Sequence, residues 1–274
     1  MLSVNTNMGA MAALQFLNQT QSDLQTTQSH INSGLKVASA TDNGAVYAIA
    51  QNMRGNVAGY QAVSDSLNRG ISTVDVAISA GQSISDLLNE LKGKALAASD
   101  SSLDTASRNA LNADFTALRD QITTIVQNAS FNGVNLVDGS TANYQALASS
   151  DGTKKITAAG QTLKLSGTVV TIKTTSTIST QSKASTMVAT INSSIQNINA
   201  SLAKLASGVK KFQIQGDFVS KLVDTQNAGI GNLVDADMAT ESAKLQSLQV
   251  KQQLGVQALA IANQAPSITL SLFH

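Results

Sequence analysis

The chain has no cysteine and no tryptophan, a single proline at position 266, and few aromatic residues (3%) or charged residues (13%) among its 274 residues. Each shortage excludes something. Without cysteine there are no disulfides and no thiolate metal centres. Without tryptophan, and with so few other rings, there is no platform on which nucleic-acid bases could stack. A net charge of +1 provides no broad field to attract nucleic acid or anionic lipid. No run of 18 apolar residues occurs, so no membrane-spanning helix is expected. The N-terminal residues lack the basic and apolar regions of a cleaved secretory leader, so none is expected. With one proline, long unbroken helices are permitted almost everywhere.

Charge is also unevenly placed. Residues 1–22 and 252–273 contain no Asp, Glu, Lys or Arg, and Asp23 is the first ionisable side chain from the N-terminus. These ends are rich in Leu, Ile, Ala, Gln, Asn and Ser. Ion-free faces of this kind pack against copies of themselves without like-charge repulsion, and their amides hydrogen-bond without the desolvation cost of ions. Two readings follow: terminal helices that order on self-association, or an ordinary bundle that buries its own ends.

The apolar residues have helical spacing. Ala10, Leu14, Leu17, Gln21, Leu24, Gln28 and Ile31 alternate steps of three and four, and Gly34 marks a stop. Residues 44 to about 99 read as one helix of roughly 80 Å. Its stripe runs Tyr60, Val63, Leu67, Ile71, Val74 and Ile78, then continues past Gly81 through Ile84, Leu88, Leu91 and Ala95. A third helix carries Leu111, Phe115, Leu118, Ile122, Ile125 and Ala129. Ile191 through Ile198, Leu205, Phe212 and Val219 to Ile230 keep the same spacing for eleven turns. The last helix shows one stripe of Val250, Leu254, Ala258, Ile261, Ala265, Ile268 and Leu272, and a second of Leu245, Leu248, Leu259 and Ala262. A period near 3.5 predicts nearly parallel helix packing of coiled-coil type.

Between the helices, Asn132-Gly133 predicts a hairpin near 130–140. Residues 141–185 are rich in Thr, Ser, Gly and Lys, and predict a small, solvent-exposed, β-rich insert. In "TLKLSGTVVTIK", Leu163/Leu165 and Val170/Ile172 alternate about Ser166-Gly167, which predicts a second hairpin. Thr and Gly substitutions within 145–180 are accordingly expected to leave assembly intact. The fold class expected is mainly α: nested N- and C-terminal coiled-coil helices forming an elongated rod, with both termini at one end and the insert in mid-chain.

Chemistry is sparse. His30 and His274 have no Asp, Glu or Cys at ligand spacing, there is no HExxH, and no catalytic, cofactor or metal residue is assigned. Asp42-Asn43-Gly44 reads as a helix N-cap, and Asp237 with Glu241 reads as the start of the last helix. Asn128-Ala-Ser130 fits a glycosylation pattern, which by chance alone is common.

Three stretches resemble bacterial flagellins, and those of the alphaproteobacteria most. "INSGLKVASATDNGAVYAIA" (31–50) is similar to the N-terminal block of the family and "SFNGVNLVDG" to the turn after its third helix. "ESAKLQSLQVKQQLGVQALAIANQAPSITLSLF" is similar to its C-terminal block. The chain departs in ending on His274 where the family ends on Arg.

The resemblance implies a non-enzymatic, cofactor-free structural subunit of an extracellular flagellar filament, a hollow helical polymer that propels the cell. It implies secretion by type III export, and an export chaperone held by the C-terminal helix. It implies further partners in identical or sibling flagellins, the flagellar cap and the hook-junction proteins, with neither nucleic acid nor membrane insertion. It divides the chain into an inner coiled-coil domain (1–33 plus 235–274), a helical rod domain (34–140 plus 186–234) and the insert (141–185). The residues expected to carry assembly are Leu14, Leu17, Leu24, Ile31, Leu245, Leu248, Val250, Leu254, Leu259, Ile261, Ile268 and Leu272. Other readings are a hook–filament junction protein of the same superfamily and a coiled-coil secretion or signalling protein.

Overall fold

A computed structural model describes residues 6–270, with side chains described over 6–264. The element order is α1 (Met8–Ser33), α2 (Gly44–Ala98), α3 (Thr105–Asn128), β1 (Ser130–Phe131), β2 (Val134–Asn135), β3 (Asn143–Leu147), β4 (Lys155–Ala159), α4 (Gln181–Val234) and α5 (Met238–Leu270). This is the mainly α architecture with a small strand insert that the pattern predicts. The chain forms two compact units, one from residues 56–224, the other from residues up to Gly55 and from Thr225 onward. Helices α2 and α4 contribute to both.

In the 56–224 unit, a heptad repeat explains the packing. Ile191, Ile198, Leu205, Phe212 and Val219 lie seven residues apart on α4 and are all buried. The companion positions Ser194, Ser201 and Gly208 are small and also buried. Large side chains therefore alternate with hollows, as interdigitating helices require. The two serines satisfy their hydroxyls within the helix, Ser194 donating to the Thr190 carbonyl and Ser201 to that of Asn197. Helix α2 supplies the complement. A Cβ on Gly70 would lie 3.0 Å from the Phe212 ring and one on Gly81 2.7 Å from Leu202, so these glycines are the hollows into which α4 side chains fit. Phe115, Ile122 and Val126 of α3 complete the helical core.

The helix ends follow from local chemistry. Gly34 adopts φ 71° and donates its N–H to the His30 carbonyl, ending α1 in the left-handed stop for which glycine is suited. Asn43 accepts from the Val46 N–H at the start of α2, while Asp42 closes the preceding turn by accepting from Ala38 and Ser39. Asp104 caps α3. The Arg108 guanidinium donates to the carbonyls of Ala98, Asp100 and Leu103, closing the C-terminal end of α2. Asn132 and Gly133, at φ 49° and 78°, form the predicted turn between β1 and β2.

The insert departs from expectation in two ways. Its ladder is not at 163–172: Asn143–Leu147 pairs antiparallel with Lys155–Ala159, about a turn containing Asp151-Gly152. Around Ser166-Gly167 the chain does reverse, and Ser166 donates to the Ile172 carbonyl. No ladder grows from there because the other donors go elsewhere: Leu163 N–H to the Val137 carbonyl, Thr171 N–H to the Ser194 hydroxyl, Ile178 N–H to Asn112 Oδ1. Nor is the insert simply solvent-exposed. Ala146, Ala158, Leu163, Val170, Ile172 and Ile178 are at most 2% exposed and join the helical core. The Leu147 N–H donates to Ser66 on α2, the Gln215 amide of α4 donates to the Ala148 carbonyl, and Tyr144 meets Phe212 edge to face. Gly160 is bound in as tightly, since a Cβ there would sit 2.3 Å from the Thr141 carbonyl oxygen. A side chain at Gly160 is therefore expected to disturb the insert locally.

Candidate assembly surface

The ion-free stretches fall largely within α1 and α5, which pair in the second unit. Asn7 N-caps α1, its Oδ1 accepting from the Ala10 N–H at 3.0 Å. Asp237 N-caps α5, accepting from the Ala239 N–H and, through Oδ2, from the Thr240 hydroxyl at 2.7 Å. The chain entering α5 is held by an antiparallel bridge between Leu35 and Asp235 and by donation from the N–H groups of Lys36 and Val37 to the Val234 carbonyl.

The two helices run antiparallel. The Asn7 amide donates to the Ala262 carbonyl at 2.6 Å, the Gln252 amide donates to Gln21 Oε1 at 2.7 Å, and His30 Nδ1 lies 3.2 Å from Glu241 Oε1. A Cβ on Gly255 would touch Leu17. The facing rows step by three and four: Ala10, Ala13, Leu17, Thr20, Leu24, Thr27 and Ile31 on α1, and Glu241, Leu245, Leu248, Gln252, Gly255, Leu259 and Ala262 on α5. His30 therefore has a carboxylate neighbour that lies 211 positions away, and only the antiparallel pairing brings it in. Glu241 serves this contact, so of the two residues assigned to start α5 the cap itself is Asp237. Among the described residues no group of three or more His, Cys, Asp or Glu side chains could hold a metal ion.

The residues expected to carry assembly divide into two sets. Leu17, Leu24, Ile31, Leu245, Leu248 and Leu259 lie in the α1–α5 seam. Leu14, Val250, Leu254 and Ile261 point away from it, at 47%, 55%, 57% and 70% exposure. Leu272, and the side chain of Ile268, lie outside the described residues. The outward sides of the two helices also carry Met8, Met11, Phe16 and Val256, which the stripe reading did not single out. The signal for them was apolar residues on more than one side of a helix, the mark of a helix covered on several sides. The seam itself is thin. Only Leu24 and Thr27 of α1, and Leu248 among the described side chains of α5, are buried.

The cap at Asp237 gives an acid-sensitive start to α5. Hydrogen bonds from the Thr240 hydroxyl, then from the Thr240 and Ala239 N–H groups, hold its carboxyl below the ordinary 3.8. A lowered folded-state value means the folded chain binds fewer protons, so this stabilisation is complete above about pH 3.8 and is lost as pH falls through the lower value. Circular dichroism should show helix content steady down to about pH 4 and falling below it. In Asp237→Ala, part of that loss is expected already at neutral pH; an unchanged acid profile would contradict the assignment.

The model for the bacterial flagellin N-terminal helical region matches residues 4–142, and that for the bacterial flagellin C-terminal helical region matches residues 188–273. Flagellin FljK of Caulobacter vibrioides is 55% identical over 99% of this chain and 98% of its own length. A flagellin of Brucella melitensis is 35% identical over the whole of both chains, and flagellin C of Rhizobium meliloti 32%. The crystal structure of Bacillus cereus flagellin superposes with a TM-score of 0.49 at 18% identity, covering 56% of this chain and 88% of that one.

Proposed function

Because the chain belongs to the bacterial flagellin family, we propose that its outward terminal rows join it to neighbouring copies in the flagellar filament, of which it is a structural subunit. The observation that supports this reading most is the pair α1 and α5, uncharged over 8–22 and 252–264, which face each other along one row and leave apolar side chains on other sides uncovered. Met8, Met11, Leu14 and Phe16 on α1, and Val250, Leu254, Val256 and Ile261 on α5, are 47–75% exposed. The thin internal seam cannot by itself hold two long helices firmly, since isolated helices draw most of their stability from packing. Copies packed on the outward rows would supply the remainder.

On this reading 1–33 with 235–274 is the inner assembly domain, 34–140 with 186–234 is the rod, and 141–185 is a third region carried on the rod. The neighbours are identical or sibling flagellins. Type III export, a chaperone on the C-terminal helix, and contacts with cap and hook-junction proteins complete the proposal.

Removing 252–274 tests it. The shortened chain is expected to keep a folded, helical 56–224 unit, whose core lies wholly within those residues. It should add nothing to filament seeds in electron micrographs, whereas the full chain grows long tubes. Growth by the shortened chain, or closed oligomers of fixed size from the full chain, would overturn the proposal; the second outcome favours a coiled-coil signalling or secretion role.

A further inference from the structure

Pro266 is the chain's one proline, and it lies inside α5, which continues to Leu270. Proline has no N–H, so the α-helical donor to the carbonyl four residues earlier does not exist. That carbonyl belongs to Ala262. Among the described residues it is the only interior helical carbonyl whose partner is deleted by the residue type itself. The Asn7 side-chain amide donates to this same atom, at 2.6 Å and from 255 positions away.

We propose that Asn7 is a positioning residue that fixes the register of the α1–α5 pair by recognising the carbonyl Pro266 leaves free. Asn7 meets both helices at once. Its Oδ1 accepts from the Ala10 N–H and its main-chain carbonyl from the Met11 N–H, starting α1. Its Nδ2 supplies α5 with the donor that proline lacks. The side chain thus offers one acceptor to one helix and one donor to the other from separate atoms, a division closed to an acceptor-only Asp carboxylate and beyond the reach of the single, shorter Ser hydroxyl.

The Leu35–Asp235 bridge and the Ala236 N–H on the Gly34 carbonyl anchor the pair at the Gly34 end; the register left open is that of the far end, toward Asn7. Rows spaced by three and four return to the same face after seven residues, so sliding one helix by two turns leaves apolar side chains opposite apolar side chains. Ala10, Ala13, Gly255 and Ala262 are too small to resist a slide by shape. Gln21 and Gln252 have long side chains that can find other amides, and His30 and Glu241 are also linked only through side chains. The Ala262 carbonyl is a fixed backbone atom with one address, and the cost of leaving it unpaired in a helix contact selects that address.

The test reads register inside a single chain and is independent of filament growth. The sequence has no cysteine, and a Cβ on Gly255 would lie 3.9 Å from the Leu17 Cβ, close to the usual disulfide spacing of about 3.8 Å. In the dilute full-length chain carrying Leu17→Cys and Gly255→Cys, the rate of disulfide closure under fixed oxidant measures how often the native register is occupied. Asn7→Ser retains an N-cap for α1 but is too short to reach Ala262; it is expected to slow closure about tenfold, as is Asn7→Ala. Pro266→Ala restores an N–H for Ala262. Because that address is then satisfied in every register, Pro266→Ala alone is expected to slow closure as Asn7→Ser does, and the double variant to close within about twofold of Pro266→Ala alone; a purely local capping role for Asn7 would leave Pro266→Ala at the unsubstituted rate. Closure at the unsubstituted rate by Asn7→Ser or by Pro266→Ala, or a further tenfold loss when the two are combined, would overturn the proposal.

Discussion

A full-length chain carrying Leu254→Asp is expected to fold and to build no filaments. Leu254 is 57% exposed on α5, away from the α1 seam, so in the free chain the carboxylate stays hydrated and the change is worth no more than about 0.5 kcal/mol. In the proposed contact the same carboxylate is buried among Leu, Ile, Val and Met, with Lys251, one turn earlier on α5, as the nearest cation and none in 252–273. Desolvating an unpaired carboxylate costs several kcal/mol. Every added subunit bears that cost, and about 4 kcal/mol raises the free concentration needed for growth roughly a thousandfold. Ile261→Asp, at 70% exposure, should behave alike. Leu248→Asp is the contrast: this residue is 5% exposed and faces α1, so its charge breaks the pair within the chain and lowers helix content before assembly is attempted. Circular dichroism with seeded growth followed by sedimentation separates the two. Normal filaments from Leu254→Asp at ordinary concentrations would show that this row does not meet a neighbour.

The long helices were legible because heptad spacing over many turns leaves no competing interpretation. The Ile191-to-Val219 row, the Gly34 stop and the Asn132-Gly133 turn follow from spacing, glycine chemistry and turn chemistry alone. What periodicity could not decide is which face of a doubly apolar helix meets which partner. On α5 the row of Val250, Leu254 and Ile261 is greasier than the row that faces α1, which includes Glu241, Gln252 and Gly255. A search for large aliphatic residues therefore ranks the outward row first. The seam uses small and polar side chains because the helices approach closely at Gly255 and exchange hydrogen bonds at Gln252 and Glu241. In the insert, alternation at 163–172 marked buried positions correctly but not their backbone partners, which lie on α4 and near residues 136–137. Asp151-Gly152, a turn signal of the same kind as Asn132-Gly133, marked the true hairpin. The Asn7–Ala262 contact had one trace in the sequence, a lone proline within an otherwise helical pattern.

The second large effect concerns whether that insert is an appendage or part of the core. Ile172→Asp is expected to destabilise the 56–224 unit by about 5 kcal/mol. Ile172 is fully buried, so the change forfeits about 2 kcal/mol of apolar burial and adds the cost of burying a carboxylate. Its neighbours in the chain are anchored to α4, Thr171 donating its N–H to Ser194 and the Asn197 amide donating to the Val169 carbonyl. The segment cannot swing outward to hydrate the charge without breaking these bonds and uncovering Ile191 and Ile198, the helical core beneath it. For a unit of this size about 5 kcal/mol lowers the melting temperature by roughly 10–20 °C, against a total stability of about 5–15 kcal/mol. Thr168→Asp, in the same loop but exposed, should shift it by no more than a degree or two. A solvent-facing insert would make the two substitutions equivalent. Equal melting of Ile172→Asp, Thr168→Asp and the unsubstituted chain would therefore return the insert to the surface. A large loss confined to Ile172→Asp would establish that the loop and the long helices fold as one piece.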